Sequence, residues 1–175
     1  GLFFCSHPFT WASSNTGLAI KGAGEKEFTI KSFNAFGRGN SWDVACARVT
    51  DRLEIPKVGI MEDLPITLLY FYDGAECLRS LDESSAAAKR PRGYSCEEIG
   101  GIGIGYEEEF PLITRFSEDF PLFISPYGTG CSRYVSTHIT NEGVIATWQQ
   151  SQNDMSQPLV SNFLPMERII QIFSS

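Results

Sequence analysis

The chain is built from short stretches in which apolar and polar residues alternate, with turn residues between them. In residues 27–33, Phe28 and Ile30 fall on one side of an extended chain and mostly polar residues fall on the other. A period of two is typical of a half-buried β-strand. Residues 133–140 alternate in the same way, and a short turn leads from them into the apolar run 144–148. We predict that these last two stretches form a β-hairpin.

Three further runs indicate extended structure without a clear alternation. Residues 42–49 follow a glycine-rich loop and predict a strand whose phase the pattern leaves open. Residues 65–73 form the most continuous apolar run, which favours a strand covered on both faces. Residues 100–105 combine glycine with isoleucine, and no helix pattern follows them. They are therefore not typical of a phosphate-binding loop, and we interpret them as a flexible loop or the entry to a glycine-rich strand.

Residues 110–129 hold two short apolar runs, each preceded by a proline. The runs are residues 112–113 and 122–124, and a polar kink separates them. Proline fixes φ and lacks the backbone donor of a sheet ladder, so it is found at the beginnings, edges and exits of strands. We therefore predict two strands here, and we expect Phe123 and Ile124 to anchor the core.

The C-terminal stretch, residues 166–173, fits two structures. Its apolar residues match helical spacing, at Met166, Ile169, Ile170 and Phe173. The preceding proline and the isoleucine content also fit a strand. We prefer the strand, because the rest of the chain offers no helical layer for a helix to join. Elsewhere, residues 84–93 combine serine, alanine, lysine and arginine, and we expect them to form an exposed, mobile loop.

The composition strengthens the β assignment. The 175 residues include 13 Phe, 16 Gly and 9 Pro, and this dense punctuation favours short strands over long helices. Counting the runs predicts roughly eight to ten strands, without an internal repeat. We predict an all-β fold, an antiparallel two-sheet sandwich or jelly roll of about eight strands. The length favours one domain over residues 1–175.

The net charge of the chain argues against two kinds of binding surface. A formal net charge of −7 argues against a nucleic-acid surface and against binding to anionic membranes, since both need clustered Lys and Arg. The basic cluster Lys89, Arg90 and Arg92 is better explained as a solvated loop than as an RNA contact. No apolar run approaches the ~20 residues of a membrane-spanning helix, so we expect no membrane insertion.

The five cysteines favour buried, reduced thiols. They lie at positions 5, 46, 77, 96 and 131, and no two form the closely spaced pair of a zinc site. An odd count suits no disulfide framework, which indicates a reducing compartment.

Candidate catalytic and metal-binding residues are few. The histidines are His7 and His138, Ser6 adjoins the first, and adjacency in sequence alone does not make a catalytic triad. Residues 107–109 are three consecutive glutamates, which suit a solvated edge better than the alternating ligands of a calcium loop. We expect no catalytic, cofactor-binding or metal site, with hydrolase or thiol chemistry as a minor alternative and His138 as a core or interface residue.

Several segments resemble the later strands of capsid proteins from picorna-like RNA viruses. Residues 32–44 are similar to the aromatic, Arg-Gly and alternating strand midway through those jelly rolls. Residues 112–116 and 120–127 resemble a strand ending in Ser-Pro-Tyr. Residues 143–148 and 166–173 are separated as that family separates its final pair of strands. The order and spacing of these segments carry the resemblance.

The resemblance implies a structural, non-enzymatic subunit of an icosahedral virion, without a cofactor. Its partners would be sibling capsid proteins and a host receptor, and the host cytoplasm would be the place of assembly. The chain carries no basic arm, so we expect little contact with the enclosed RNA genome. A start at Gly1 fits cleavage from a polyprotein as well as a trimmed chain. The alternative is a monomeric or dimeric β-sandwich binding module, such as a lectin or a receptor-binding domain.

Overall fold

A computed structural model describes residues 1–6, 13–76 and 98–174. Strands dominate this part of the chain, which also contains two short 3₁₀ turns and one helix. The elements are β1 Leu2–Ser6, β2 Asn15–Ile20, β3 Thr29–Phe36, β4 Cys46–Glu54, β5 Thr67–Ala75, β6 Ile99–Tyr106, β7 Thr114–Arg115, β8 Ser132–Thr140, β9 Gly143–Gln150, β10 Leu159–Pro165 and α1 Met166–Phe173.

The strands form three antiparallel sheets. The first has the order β1-β2-β3, the central sheet β4-β5-β6-β7, and the third β10-β9-β8. Every pairing between these strands is antiparallel. The prediction of an all-β antiparallel, sandwich-like architecture is confirmed, and so is the hairpin of β8 and β9. The described residues form three sheets, however, and not the two that were predicted.

Strand β5 lies at the middle of the packing, covered on both faces as its apolar run predicts. Tyr70 and Tyr72 are buried on one face. Their rings contact the first sheet, with centroids 6.0 Å from Phe3 and 4.9 Å from Phe36 respectively. On the other face Phe71 turns toward the third sheet and is only half-buried. The core is therefore tighter on the side of the first sheet.

The glycines of β6 make room for the tyrosines of β5. Gly101 is paired with Tyr72 and Gly103 with Tyr70, and directly opposed residues share a face of the sheet. A Cβ at Gly101 would overlap the Tyr72 ring. The stretch 100–105 is thus the interior of a paired strand, of which the sequence indicated at most the entry.

Several boundaries differ from the predictions. The predicted strand 42–49 begins only at Cys46, and Trp42 packs in the preceding loop against Tyr72, with ring centroids 5.5 Å apart. Strand β3, Thr29–Phe36, begins two residues and ends three residues later than the predicted stretch 27–33. Phe28, which precedes β3, and Ile30, which lies within it, are both exposed, so the apolar face that alternation predicted is not covered.

The two strands predicted within residues 110–129 do not form as such. Only Thr114–Arg115 pairs in a ladder, and Phe123 makes a single bridge to Gly100. Prolines interrupt the donors of this segment, so it follows the edge of β6 irregularly. Phe123 is half-buried, whereas Ile124 is exposed and does not anchor the core.

The preference for a C-terminal strand was wrong, since Met166–Phe173 forms α1. Ile169 is buried, so the helical spacing of the apolar residues was the correct signal. The helix joins no helical layer. It packs at the end of the gap between two sheets. The loop expected at 84–93 lies outside the described residues.

Candidate functional site

Large apolar side chains are exposed along the irregular segment that follows β6. Phe116 is 65% exposed and Phe120 is 64% exposed, far more than an ordinary core residue. We call the exposed set the apolar edge, and its members are Leu112, Phe116, Phe120, Leu122, Ile124 and Tyr127. Large contiguous apolar patches on a protein surface are associated with interaction sites, which makes this edge a candidate.

Backbone hydrogen bonds fix the apolar edge to β6. The Phe116 N–H donates to the carbonyl of Ile102 at 2.9 Å, and the Leu122 N–H donates to that of Gly100 at 2.9 Å. Leu112 and Phe116 line one shallow cleft of about 370 Å³. The apolar side chains therefore stand on a backbone held at several points, which limits the entropy lost when they bind a partner.

The outer face of the third sheet is also partly apolar. Ile145 is paired with His138 on one side and with Phe163 on the other, so the three share a face. All three are exposed. The expectation of a core position for His138 is thus wrong, while a role at an interface stays a prediction.

An apolar cavity separates the central sheet from the third sheet. Its volume is about 440 Å³, and a neighbouring gap of about 400 Å³ shares Phe71, Ala146 and Trp148 with it. Apart from Thr137 and Asn162 the lining is apolar, and it consists otherwise of Leu53, Ile55, Pro56, Leu69, Phe71, Val144, Ala146, Trp148, Leu164, Ile169, Ile172 and Phe173. The two sheets therefore meet without filling the space between them.

Beside this cavity, a buried charge cluster joins the same two sheets. Glu98 pairs through one carboxylate oxygen with Arg48 and through the other with Arg133. Asp73, which is fully buried, lies 3.5 Å from Arg48 and accepts a hydrogen bond of 3.0 Å from the N–H of Tyr134. We call Arg48, Asp73, Glu98, Arg133 and Tyr134 the inter-sheet cluster.

Tyr134 occupies an unusual backbone position in this cluster. Its φ is 56°, and the register of β8 with β9 shifts between Arg133 and Ser136. Positive φ is uncommon for a residue with a large side chain. The Tyr134 ring lies 5.5 Å from the guanidinium of Arg48 and 4.8 Å from that of Arg133. The two cations and the Asp73 carboxylate thus surround the bulge.

Burial changes the titration of two groups in this region. It raises the pKa of Asp73 to about 7, although the Tyr134 N–H and the Arg48 charge act in the opposite direction. Burial also raises the pKa of the Cys46 thiol. Cys46 therefore stays protonated and is not an activated nucleophile.

A second buried ion pair ties the loop before β4 to β7. Arg115 Nε lies 2.7 Å from a carboxylate oxygen of Asp43, and the Arg115 guanidinium stacks 4.3 Å from the Phe36 ring centroid. Sequence patterns identified neither the inter-sheet cluster nor the Asp43–Arg115 pair, because the members of each are tens of residues apart. The only available signal was a charged residue at an inward position of an otherwise apolar run, such as Asp73.

The remaining candidates from the sequence are dispersed. Glu107–Glu109 is an exposed 3₁₀ turn, in which Glu107 pairs with Arg52 at 3.3 Å. Cys46 and Cys131 are buried as predicted, whereas Cys5 is exposed. His7, Cys77, Cys96 and the basic residues 89–92 lie outside the described ranges.

Two features are absent from the described ranges. Residues 1–6, 13–76 and 98–174 contain no group of three or more His, Cys, Asp or Glu arranged to hold a metal ion. No helix in these ranges is long and apolar enough to cross a membrane.

Comparison of the whole chain with protein-family models, curated proteins and solved structures finds no match.

Proposed function

We propose that this chain is a structural subunit of a protein shell, resembling a capsid protein of picorna-like viruses. The observation that carries the proposal is the apolar edge, where Phe116 and Phe120 are exposed on a fixed backbone. The occupant of this surface would be another copy of this chain, and sibling capsid proteins would meet the chain elsewhere, through the loops at the ends of its sheets. The chain would work in the virion, after assembly in the host cytoplasm.

The chemistry of the apolar edge suits a protein partner. Complete burial of a phenylalanine side chain stabilises a complex by about 1.5–3 kcal/mol, so two exposed rings supply a substantial part of an association energy. Aromatic residues are also enriched in the cores of protein interfaces. The nearby Pro111, Pro121 and Pro126 restrict the chain and keep the rings in place.

The sheet architecture is compatible with the wall of a shell. The central sheet, which contains β5, packs against the other two antiparallel sheets. We propose that the three belong to a jelly roll of about eight strands. The loops at the ends of the sheets would then meet neighbouring subunits or a host receptor. A net charge of −7 favours protein contacts over contacts with the enclosed RNA.

We propose no catalytic role for the inter-sheet cluster. Its guanidinium groups pair with Glu98, and Asp73 is bound to the backbone of Tyr134. These groups are engaged with one another between two sheets, which fits the joining of structural elements rather than the binding of a substrate.

The cavity between the sheets favours a second candidate, a binding module. A volume of about 440 Å³ lies in the range of small-molecule sites. Its lining is mostly aliphatic and aromatic, which fits an apolar ligand and does not fit the hydroxyl-rich surface of a glycan. Such a module would remain monomeric or dimeric and would not need the apolar edge.

A variant pair tests the shell proposal. Replacing Phe116 and Phe120 together with Ser should weaken self-association at least tenfold, because both exposed rings are removed from the contact. The matched control is Ile60→Ser, which removes a side chain that is also 64% exposed but lies outside the apolar edge. Sedimentation velocity over a concentration series measures the association, and circular dichroism verifies that each variant is folded.

The two outcomes are distinct. Weaker association of the double variant with an unchanged control supports the apolar edge as the contact. Equal association of the double variant and the wild-type protein would show that the apolar edge is not the contact, and the proposal would lose the observation that carries it.

A further inference from the structure

Strand β10, Leu159–Pro165, forms one edge of the third sheet, and its outer side pairs with no strand among the described residues. Natural edge strands commonly carry charges or bulges that discourage pairing with another chain. β10 has neither device, because none of its residues is charged and its ladder with β9 runs without a shift in register. The outer side of β10 is therefore a regular template for a further strand.

Hydrogen bonds at the two ends of this ladder show which backbone groups of β10 face outward. The Pro158 carbonyl accepts a hydrogen bond of 3.1 Å from the last residue of β9, and the Met166 N–H donates one of 2.8 Å to the residue before β9. Antiparallel strands bond through every second residue, so the even-numbered residues of β10 bond to β9. The N–H and C=O groups of Leu159, Ser161 and Phe163 consequently point away from the sheet.

The residues with outward backbone groups also have exposed side chains, all on one face. Leu159 is 69% exposed, the highest value among the large apolar side chains of the described residues, and Phe163 is 45% exposed. Ser161 lies between them and is small and exposed. Because Phe163 is paired with Ile145 of β9, these side chains continue the partly apolar outer face of the third sheet up to its edge.

The order of these residues matches a second, antiparallel copy of the same strand. In a pairing centred on Ser161, Leu159 of each copy lies opposite Phe163 of the other, so the apolar side chains meet in cross-strand pairs. The two serines face each other at the two-fold axis, and all three residues exchange backbone hydrogen bonds with the opposing strand. A register displaced toward the C-terminus would bring Pro165, which has no N–H, into the ladder.

The distribution of charge also favours a second copy as the occupant. Chains of net charge −7 repel one another, so self-association costs least where the contact surface carries no charge. β9 and β10 contain no charged residue, although 20% of the whole chain is charged. A partner selected by complementary charge would find no matching group on these two strands.

We propose that β10 pairs with β10 of a second copy, antiparallel and centred on Ser161, and joins the third sheets of two chains into one continuous sheet. This contact goes beyond the proposed function, because it does not involve the apolar edge. A two-fold contact of this kind closes after two copies, so it produces a dimer. In the single chain the Phe163 N–H donates to the side-chain oxygen of Asn162 at 2.8 Å, and pairing exchanges this bond for one to the second copy.

Amide hydrogen exchange, resolved to single residues, tests the contact directly. The N–H groups of Val160 and Leu164 bond to β9 within one chain, so they should be protected at every concentration. The N–H groups of Leu159 and Ser161 should exchange readily in dilute solution. Their exchange should slow by about tenfold between about 1 and 100 µM, as the second copy covers them.

Two replacements of Ser161 form a matched pair for sedimentation velocity. Ser161→Pro removes the outward N–H at the centre of the contact and leaves the bonds to β9 in place, so it should weaken dimerisation by about tenfold or more. Ser161→Ala keeps this N–H and should dimerise like the unmodified chain. Both are made in a background of Phe116→Ser and Phe120→Ser, which leaves β10 unchanged and removes the association that depends on the apolar edge.

Protection of Leu159 and Ser161 that rises with concentration and is lost in Ser161→Pro supports the pairing. Exchange of these two amides that does not change with concentration would overturn it, as would undiminished dimerisation of a folded Ser161→Pro protein. If Ser161→Pro does not fold, the exchange rates of the wild-type protein decide. The association lost in the Phe116 and Phe120 background measures the apolar edge separately, so this proposal and the proposed function can fail independently.

Discussion

At the scale of single residues, glycines determine how closely aromatic rings approach the central sheet. Gly100 lies under the Phe123 ring, and Gly101 lies under the Tyr72 ring. Phe123 also packs near Phe71, at 6.5 Å between ring centroids. The half-buried Phe123 is therefore held by the space that Gly100 leaves, and not by a paired strand.

This contact predicts a strong effect of one added methyl group. Gly100→Ala would place a Cβ inside the Phe123 ring, so the ring must move and the 121–124 segment with it. We expect a loss of about 1–3 kcal/mol in the free energy of unfolding, as for other overpacked sites. Urea denaturation followed by tryptophan fluorescence measures the loss.

Gly22→Ala is the control for this prediction. The added Cβ would meet only the flexible carboxyl end of Glu25, at 3.1 Å, so the change should stay within about 0.5 kcal/mol. Combining Gly100→Ala with Phe123→Ala should cost less than the sum of the two single changes, because the clash is absent in the double variant. Strict additivity would contradict the proposed overlap.

At the scale of elements, the sequence predicted strands well where it showed a clear alternation or a continuous apolar run. The hairpin of β8 and β9 and the buried β5 were anticipated from period and apolar content. The irregular structure of residues 110–129 was not anticipated. The spacing of the prolines suggests where strands end, but it does not show whether a ladder of hydrogen bonds forms between those ends. The preference for a C-terminal strand assumed that a helix needs a helical layer, whereas α1 packs on the sheets at the cavity.

The inter-sheet cluster could not be predicted in the same way. Its acids and arginines come from β4, β5, the residue before β6, and β8, and only the stacking of two sheets brings them together. The period of a strand shows which face a residue occupies, but not which sheet covers that face. A charged residue inside an apolar run, as at Asp73, is the signal that such a partner exists.

The docking of α1 against the sheets leads to a prediction that two neighbouring isoleucines of the helix can test. Ile169 is 4% exposed and lines the cavity, whereas Ile170 is 43% exposed. Ile169→Ala should lower the free energy of unfolding by about 2–5 kcal/mol, the range for large aliphatic side chains truncated in a core. Ile170→Ala should change it by about 0.5 kcal/mol, as a surface substitution does.

Equilibrium unfolding in urea compares the two variants with the wild-type protein. Both replacements introduce the same residue into the same helix, so helix propensity is matched. Similar losses for the two variants would mean that α1 does not dock through Ile169, and the cavity would then lack this end wall.

At the scale of the whole molecule, the sheets bury one face of the core well and leave other apolar surface exposed. The first sheet covers Tyr70 and Tyr72, while the cavity remains open beside Phe71. The apolar edge adds Phe116 and Phe120 to the exposed surface. Burial of this surface in a contact between subunits would stabilise the chain, which is the physical basis of the proposed shell subunit.

The measurement that tests this account most directly is the mass of the purified chain in solution at increasing concentration and salt. Sedimentation velocity from about 1 to 100 µM should show reversible association. The association should strengthen with salt, because salt screens the repulsion between chains of net charge −7 and leaves apolar contact intact. A folded chain that stays monomeric over the whole series would contradict the shell subunit and would favour the binding module.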